Sequence, residues 1–234
     1  VNNGPLDSVK WNFNYVSIPL DGITTGASDM AWGDADGDGD LDLAVGSDDV
    51  TVIYRNDSGI LNLTDTMLPG YWEDNSQAEF DLKSITWTDF DNDADLDLLI
   101  PSVFDLNSFS FRTALMRNDG LNGTGGFNFV EVDSVFEPTR HASSMWADFD
   151  SDTDLDLLLV NMVPNTEESF IKRYRNDGGG IFTVENILDS LTVEHGEAQW
   201  GDFDNDGDLD ILVAGNLNDG NGNYTLALQI YRND

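Results

Sequence analysis

The chain of 234 residues contains no cysteine. Disulfides and thiolate metal sites are therefore excluded, and the thiol content says nothing about redox compartment. Basic residues are scarce. Ten Lys and Arg stand against 45 Asp and Glu, a formal charge of −35, which argues against electrostatic binding to nucleic acid or anionic lipid. No run is long and apolar enough to span a membrane. The chain opens without a signal-peptide pattern, so a leader is expected to have been removed, or the chain to be an excerpt of a longer protein. Enzyme signatures are lacking too: there is no Gly-x-Ser-x-Gly elbow, no His-Glu-x-x-His and no phosphate loop. A glycosidase carboxylate pair is not excluded by sequence, but the acids cluster where a metal explains them. The chain is expected not to be an enzyme.

What is abundant is aspartate at alternate positions. Asp202-Phe203-Asp204-Asn205-Asp206-Gly207-Asp208-Leu209-Asp210 carries carboxylates at positions 1, 3, 5, 7 and 9. The pattern recurs as Asp34, Asp36, Asp38, Asp40, Asp42, as Asp89, Asp91, Asp93, Asp95, Asp97, and as Asp148, Asp150, Asp152, Asp154, Asp156. Several carboxylates folded round one centre need a hard cation. Ca²⁺, with six to eight oxygens at roughly 2.3–2.6 Å, suits such a cradle better than Mg²⁺. About four Ca²⁺ are expected, one per repeat. An EF-hand would need a bidentate Glu at position 12 and flanking helices. Position 12 here is Val45, Ile100, Leu159 and Val213, and each loop runs into a short apolar stretch that reads as a buried strand. Four Ca²⁺ would bring the formal charge of −35 to −27. Calcium modules with weak affinity stay filled outside the cell, so an extracellular, cell-surface or secreted setting is expected.

The repeat extends beyond the loops. Trp32, Trp87, Trp146 and Trp200 each lie two residues before a first Asp. Downstream come Tyr54-Arg55-Asn56-Asp57, Met116-Arg117-Asn118-Asp119, Tyr174-Arg175-Asn176-Asp177 and Tyr231-Arg232-Asn233-Asp234. Cutting there gives repeats 1–57, 58–119, 120–177 and 178–234, an array of one supersecondary unit in a single domain. Each unit reads as four strands: in the last, A about 197–200, B about 209–214 and C about 224–231, with D following the Arg-Asn-Asp turn. The last unit has no strand D of its own, and residues 11–18 have the pattern of one. The expected fold is all-β: a β-propeller of four four-stranded blades, the N-terminal strand completing the last blade. The tryptophans are expected to fill the wedges between blades.

The run Trp-x-Asp-Phe-Asp-x-Asp-Gly-Asp-Leu-Asp-Leu, followed by Tyr-Arg-Asn-Asp-Gly-x-Gly-x-Phe, resembles the FG-GAP/VCBS repeat family, which includes the integrin α-subunit propellers. The resemblance implies calcium in each A–B loop, held by side chains at positions 1, 3, 5 and 9 and the carbonyl at position 7. In the last unit these are Asp202, Asp204, Asp206, the Asp208 carbonyl and Asp210. Position 6 departs from glycine in the middle repeats, where Ala94 and Thr153 stand. If that position is left-handed, a Cβ costs on the order of 1 kcal/mol.

Other candidates are weaker. The connection from about Thr64 to Lys83 is long enough to be functional, and its Tyr71 and Trp72 are partner-contact candidates. His141 and His195 occupy equivalent places and lack a third ligand, so turn residues are expected rather than a zinc pair. Sequons at Asn56, Asn62, Asn122 and Asn223 are glycosylation candidates in a secreted chain. The expected function is a non-catalytic, calcium-stabilised extracellular module for adhesion, for protein interaction or for building a surface or filamentous assembly. The alternative is a carbohydrate-binding lectin, or the accessory propeller of a secreted carbohydrate-active enzyme. Dissimilar B–C loops favour the first.

Overall fold

The computed structural model describes residues 14–15, 17–18, 21–23, 26–47, 50–69, 84–105, 110–132, 136–162, 169–185, 193–218 and 224–233. Among these the chain is strand and loop without helix. The first sheet contains β1 (Ala27–Gly33), β2 (Asp42–Ser47), β3 (Val50–Asp57) and β4 (Ile60–Pro69). The second contains β5 (Thr86–Thr88), β6 (Asp97–Asp105), β7 (Ser110–Leu121) and β8 (Phe127–Val132). The third contains β9 (Arg140–Ala147), β10 (Asp156–Met162), β11 (Ser169–Asn176) and β12 (Phe182–Glu185). The fourth has three described strands: β13 (Val193–Gly201), β14 (Asp210–Asn218) and β15 (Tyr224–Tyr231). Every sheet is an antiparallel meander in chain order.

The apolar runs after the loops explain the stacking. Alternate residues of a strand point to opposite faces, so a run such as Leu98-Leu99-Ile100 buries both. Leu98 and Ile100 join Ala35, Ala44 and Ile53 of the first sheet. Leu99 joins Leu157, Leu159 and Tyr174 of the third. Leu158 and Val160 in turn meet Ala198, Ile211 and Val213 of the fourth. The first strands of successive sheets lie side by side, β1 by β5, β5 by β9 and β9 by β13. This is a propeller-like arrangement, in which radial stacking of short meanders replaces long sheet edges.

Three tryptophans fill wedges as expected. Trp87 packs on the cluster between the first and second sheets and donates Nε1–H to the Ala31 carbonyl at 3.1 Å. Trp146 packs between the second and third and donates to Thr86 Oγ1 at 3.1 Å. Trp200 packs between the third and fourth, with its ring 4.8 Å from that of Phe149. Trp32 is 53% exposed.

Two expectations are modified. Strand β4 runs to Pro69, so residues 64–69 extend a strand that pairs back to Val50 instead of opening a long connection. The rest of that connection, with Tyr71 and Trp72, lies outside the described residues. The N-terminal strand expected over residues 11–18 falls largely outside them as well. The described residues there, 14, 15, 17 and 18, are not in a strand, and Tyr15 is 91% exposed.

Candidate metal centres

Each loop between the first two strands of a sheet is shaped by two left-handed residues. At position 4 stand Gly37, Asn92, Ser151 and Asn205, with φ of 70°, 60°, 61° and 61°. At position 6 stand Gly39, Ala94, Thr153 and Gly207, with φ of 95°, 77°, 82° and 101°. Two reversals within nine residues curl the loop so that its carboxylates converge. Position 6 is thus left-handed in all four loops, including the two with a Cβ, where that conformation costs roughly 1–2 kcal/mol.

Oxygens of Asp34, Asp36 and Asp42 lie within 4.8 Å of one another, as do those of Asp89, Asp91 and Asp97. The same holds for Asp148, Asp150 and Asp152, and for Asp202, Asp204 and Asp206. Positions 1 and 3 meet in every loop. The third member is position 9 in the first two loops and position 5 in the last two. Within each loop one buried carboxylate oxygen lacks a hydrogen-bond donor: Asp34 Oδ1, Asp91 Oδ1, Asp156 Oδ2 and Asp204 Oδ1. A buried anionic oxygen without a donor is costly, and a divalent cation is the partner that suits an all-carboxylate set.

The electrostatics agree. Asp36, Asp91, Asp150 and Asp204, all at position 3, are held above the ordinary carboxylate range, first by burial and next by the position 5 carboxylate. Burial pushes Asp97 up to about 7 and Asp156 up to about 6, against the main-chain hydrogen bonds that they accept.

Position 9 has a second task. Asp42 accepts the N–H of Ala35 at 2.9 Å on one oxygen and that of Asn56 at 2.8 Å on the other. Asp97 does the same with Phe90 at 3.1 Å and Asn118 at 2.8 Å. Asp210 takes Phe203 at 2.7 Å and Asn233 at 2.9 Å, and Asp156 takes Asn176 at 2.8 Å. These buried carboxylates tie each loop to the Arg-Asn-Asp turn beside it. The side chains at position 7, Asp40, Asp95, Asp154 and Asp208, stay out of the close clusters. Asp40 accepts instead from Ser58 N at 2.8 Å, and Asp154 from Asn92 Nδ2 at 2.6 Å.

The Asn of the Arg-Asn-Asp turn also joins neighbouring sheets, a role that its recurrence alone does not specify. Asn118 Nδ2 donates to the Ala35 carbonyl at 2.9 Å in the loop of the preceding sheet. Asn176 Nδ2 donates to the Phe90 carbonyl at 2.7 Å in the same way. Both are fully buried. The recurrence of this Asn in four turns was the available signal. Arg173 was also missed. Its guanidinium lies 4.0 Å from the Phe149 ring centroid and lowers the carboxylates of Asp150 and Asp156.

The remaining candidates are dispersed. His141 and His195 fall in β9 and β13, and their side chains lie outside the described residues, as does Asn223. Asn56 donates to the Leu41 carbonyl and accepts from Gly59 N. Asn122 Oδ1 accepts from the N–H groups of Thr124 and Gly126. Both serve turns, whereas Asn62 is exposed on β4.

Comparison with known proteins gives two findings and one absence. No curated protein matches the chain. A solved structure of a lectin from Agrocybe aegerita, described as recognising non-reducing terminal N-acetylglucosamine, is similar at 18% identity and a TM-score of 0.48. The likeness covers 88% of this chain and 52% of that one, so the chain spans about half the length of the structure it matches. The model of the FG-GAP-like repeat family matches residues 148–213, from the first aspartate of the third loop to the strand after the fourth. Over those residues the chain is similar to an FG-GAP-like repeat.

Proposed function

We propose that the chain is a non-catalytic, calcium-stabilised, extracellular binding module built as a β-propeller, serving adhesion, protein interaction or a surface assembly. One observation carries this reading: four equivalent loops each converge acidic oxygens within 4.8 Å and leave a buried carboxylate oxygen without a donor. In this reading positions 1, 3, 5 and 9 and the position 7 carbonyl hold one Ca²⁺ per loop. The ion offsets the repulsion that raises the position 3 carboxylates and locks the loop to the Arg-Asn-Asp turn. Residues 11–18, from the same chain or a neighbouring copy, supply the fourth strand of the last sheet.

A glycan partner is the second reading. The lectin with the similar structure is described as binding terminal N-acetylglucosamine, and it lends no residue to this chain. A glycan array on the calcium-loaded protein separates the two readings: specific sugar binding supports the second, and none leaves the first. The calcium reading is tested by thermal melts with and without EDTA. A free concentration tenfold above the dissociation constant stabilises by about 1.4 kcal/mol per site, so a melting temperature unchanged by EDTA would falsify it.

A further inference from the structure

The chain contains the same sheet-to-sheet junction three times and, separated at its two ends, the two halves of a fourth. In each internal junction the leading sheet presents the residue after its first loop Asp, together with alternate residues of its second and third strands. The following sheet presents its Trp and the residue two before it.

The leading half is exposed on the fourth sheet. Phe203 is 63% exposed where Ala35 and Phe90 are 1%. Leu212 is 36% exposed where Ala44, Leu99 and Leu158 are 0–1%. Leu228 is 68% exposed where Thr51, Thr113 and Ile171 are 0%, 6% and 3%. Ile230 is 45% exposed where Ile53 and Leu115 are 0%. Leu212 pairs with Ile230 across β14 and β15, and Ala214 with Leu228, so these side chains share one face.

The following half is exposed on the first sheet. Met30 is 61% exposed where Ile85, Ser144 and Ala198 are 4%, 5% and 2%. Trp32 is exposed where its three equivalents are wedged between sheets.

Two glycines sharpen the match. In the first junction the Trp87 indole sits 2.6 Å from where a Cβ on Gly33 would be, so this ring needs glycine beneath it, whereas Thr88 and Ala147 hold that place at the next two junctions. The equivalent residue of the fourth sheet is Gly201. A Cβ there meets nothing within 4 Å, and an open cavity lies beside it, lined by Phe203, Leu212 and Ile230. Among the described residues no tryptophan ring fills this seat.

We propose that this face of the fourth sheet docks the first sheet of a second copy of the chain, with the second copy's Trp32 seated over Gly201. A contiguous apolar face of this kind marks an interaction site. Both halves are exposed in one and the same chain, so the chain does not join them to each other. Head-to-tail contact is heterologous and closes into a ring when the rotation allows. Two copies would make an eight-sheet ring, at the upper end of the usual four to eight blades. The two faces meet by packing alone, whether or not calcium fills the loops or residues 11–18 complete the last sheet.

Sedimentation equilibrium across a concentration series, in calcium and in EDTA, tests it. Dimer mass is expected at the higher concentrations. Gly201→Leu places a side chain in open space, so the circular dichroism of the folded chain should be unchanged while the dimer is lost. Trp32→Ala should weaken association in the same way. Because the chain has no cysteine, mixing Gly201→Cys with Trp32→Cys should give a disulfide-linked pair that neither variant forms alone. A monomeric wild-type protein at all concentrations would overturn the proposal. So would association that Gly201→Leu leaves intact. A chain carrying both cysteines that links within itself in preference to between copies would show self-closure and overturn it as well.

Discussion

Ala94 and Thr153 concentrate the energetic question at single residues. Both sit in a left-handed position, φ 77° and 82°, that Gly39 and Gly207 occupy without a Cβ. Thr is β-branched and suffers more there. The strain is present whether or not an ion is bound, but calcium demands the fully curled loop, so strain opposes the bound geometry more than an open one. Thr153→Gly is expected to tighten the third loop for Ca²⁺ by up to about thirtyfold, from the roughly 1–2 kcal/mol cost of a left-handed Cβ. Isothermal titration of the variant against the parent checks this, and unchanged or weaker affinity would refute it. A second expectation concerns protons. Burial holds Asp97 at about 7 and Asp156 at about 6 in the folded chain, above the ordinary carboxylate value of about 3.9. Between those values the folded state binds more protons than the unfolded one, so metal-free stability falls as pH rises from about 4 to about 7. Melts in EDTA should therefore be higher at pH 5 than at pH 8. With saturating Ca²⁺ the order should reverse, because protons then compete with the ion for the same oxygens. The left-handed position 6 was legible from Gly39 and Gly207. Position 4 was not, because Asn92, Ser151 and Asn205 are ordinary loop residues whose φ the sequence does not declare.

At the scale of elements, the strands were legible because each follows a fixed landmark. A Trp precedes the loop, an apolar run follows it, and Arg-Asn-Asp closes the third strand. Strand β15 falls on the residues expected, Tyr224–Tyr231, and β14 begins one residue from its expected start and runs on to Asn218. Connections that join residues far apart in sequence were not legible. The buried Asp at position 9 was read as a ligand alone, yet it accepts main-chain N–H groups from both its own loop and the neighbouring turn. The bond from Asn176 Nδ2 to the Phe90 carbonyl spans two sheets, and no periodicity reports such a contact. It carries a prediction. Asn176→Ala leaves the carbonyl of Phe90 without that donor and Gly178 N without its acceptor. A loss of roughly 1–3 kcal/mol follows from leaving buried groups unsatisfied. Chemical denaturation should show that loss at an unchanged slope. A midpoint equal to the parent's would mean that the turn does not hold the sheets together. Strand β4 extends to Pro69 because its outer residues pair back to Val50 and Thr51, a pairing hidden in the sequence by mixed polar and apolar residues.

At the scale of the whole molecule, the sheets cohere through apolar faces on both sides of their central strands, while the acidic loops gather negative charge at one place in each sheet. A formal charge of −35 opposes compaction, and the proposed divalent ions would relieve it where it is densest. The all-β, propeller-like arrangement and the four loops were legible because repetition writes them four times. The exposed faces of the first and fourth sheets were not, since Met30 and Leu228 look like core residues in their repeats and only the stacking order uncovers them. The central claim is that the four aspartate loops are calcium sites. Its most direct measurement is calorimetric titration of EDTA-stripped, dialysed protein with CaCl₂ at pH 7.5, with the bound ion counted independently by atomic absorption. Close to four Ca²⁺ per chain are expected, the first and fourth loops filling before the second and third. Uptake of one ion or none by a folded chain would contradict it.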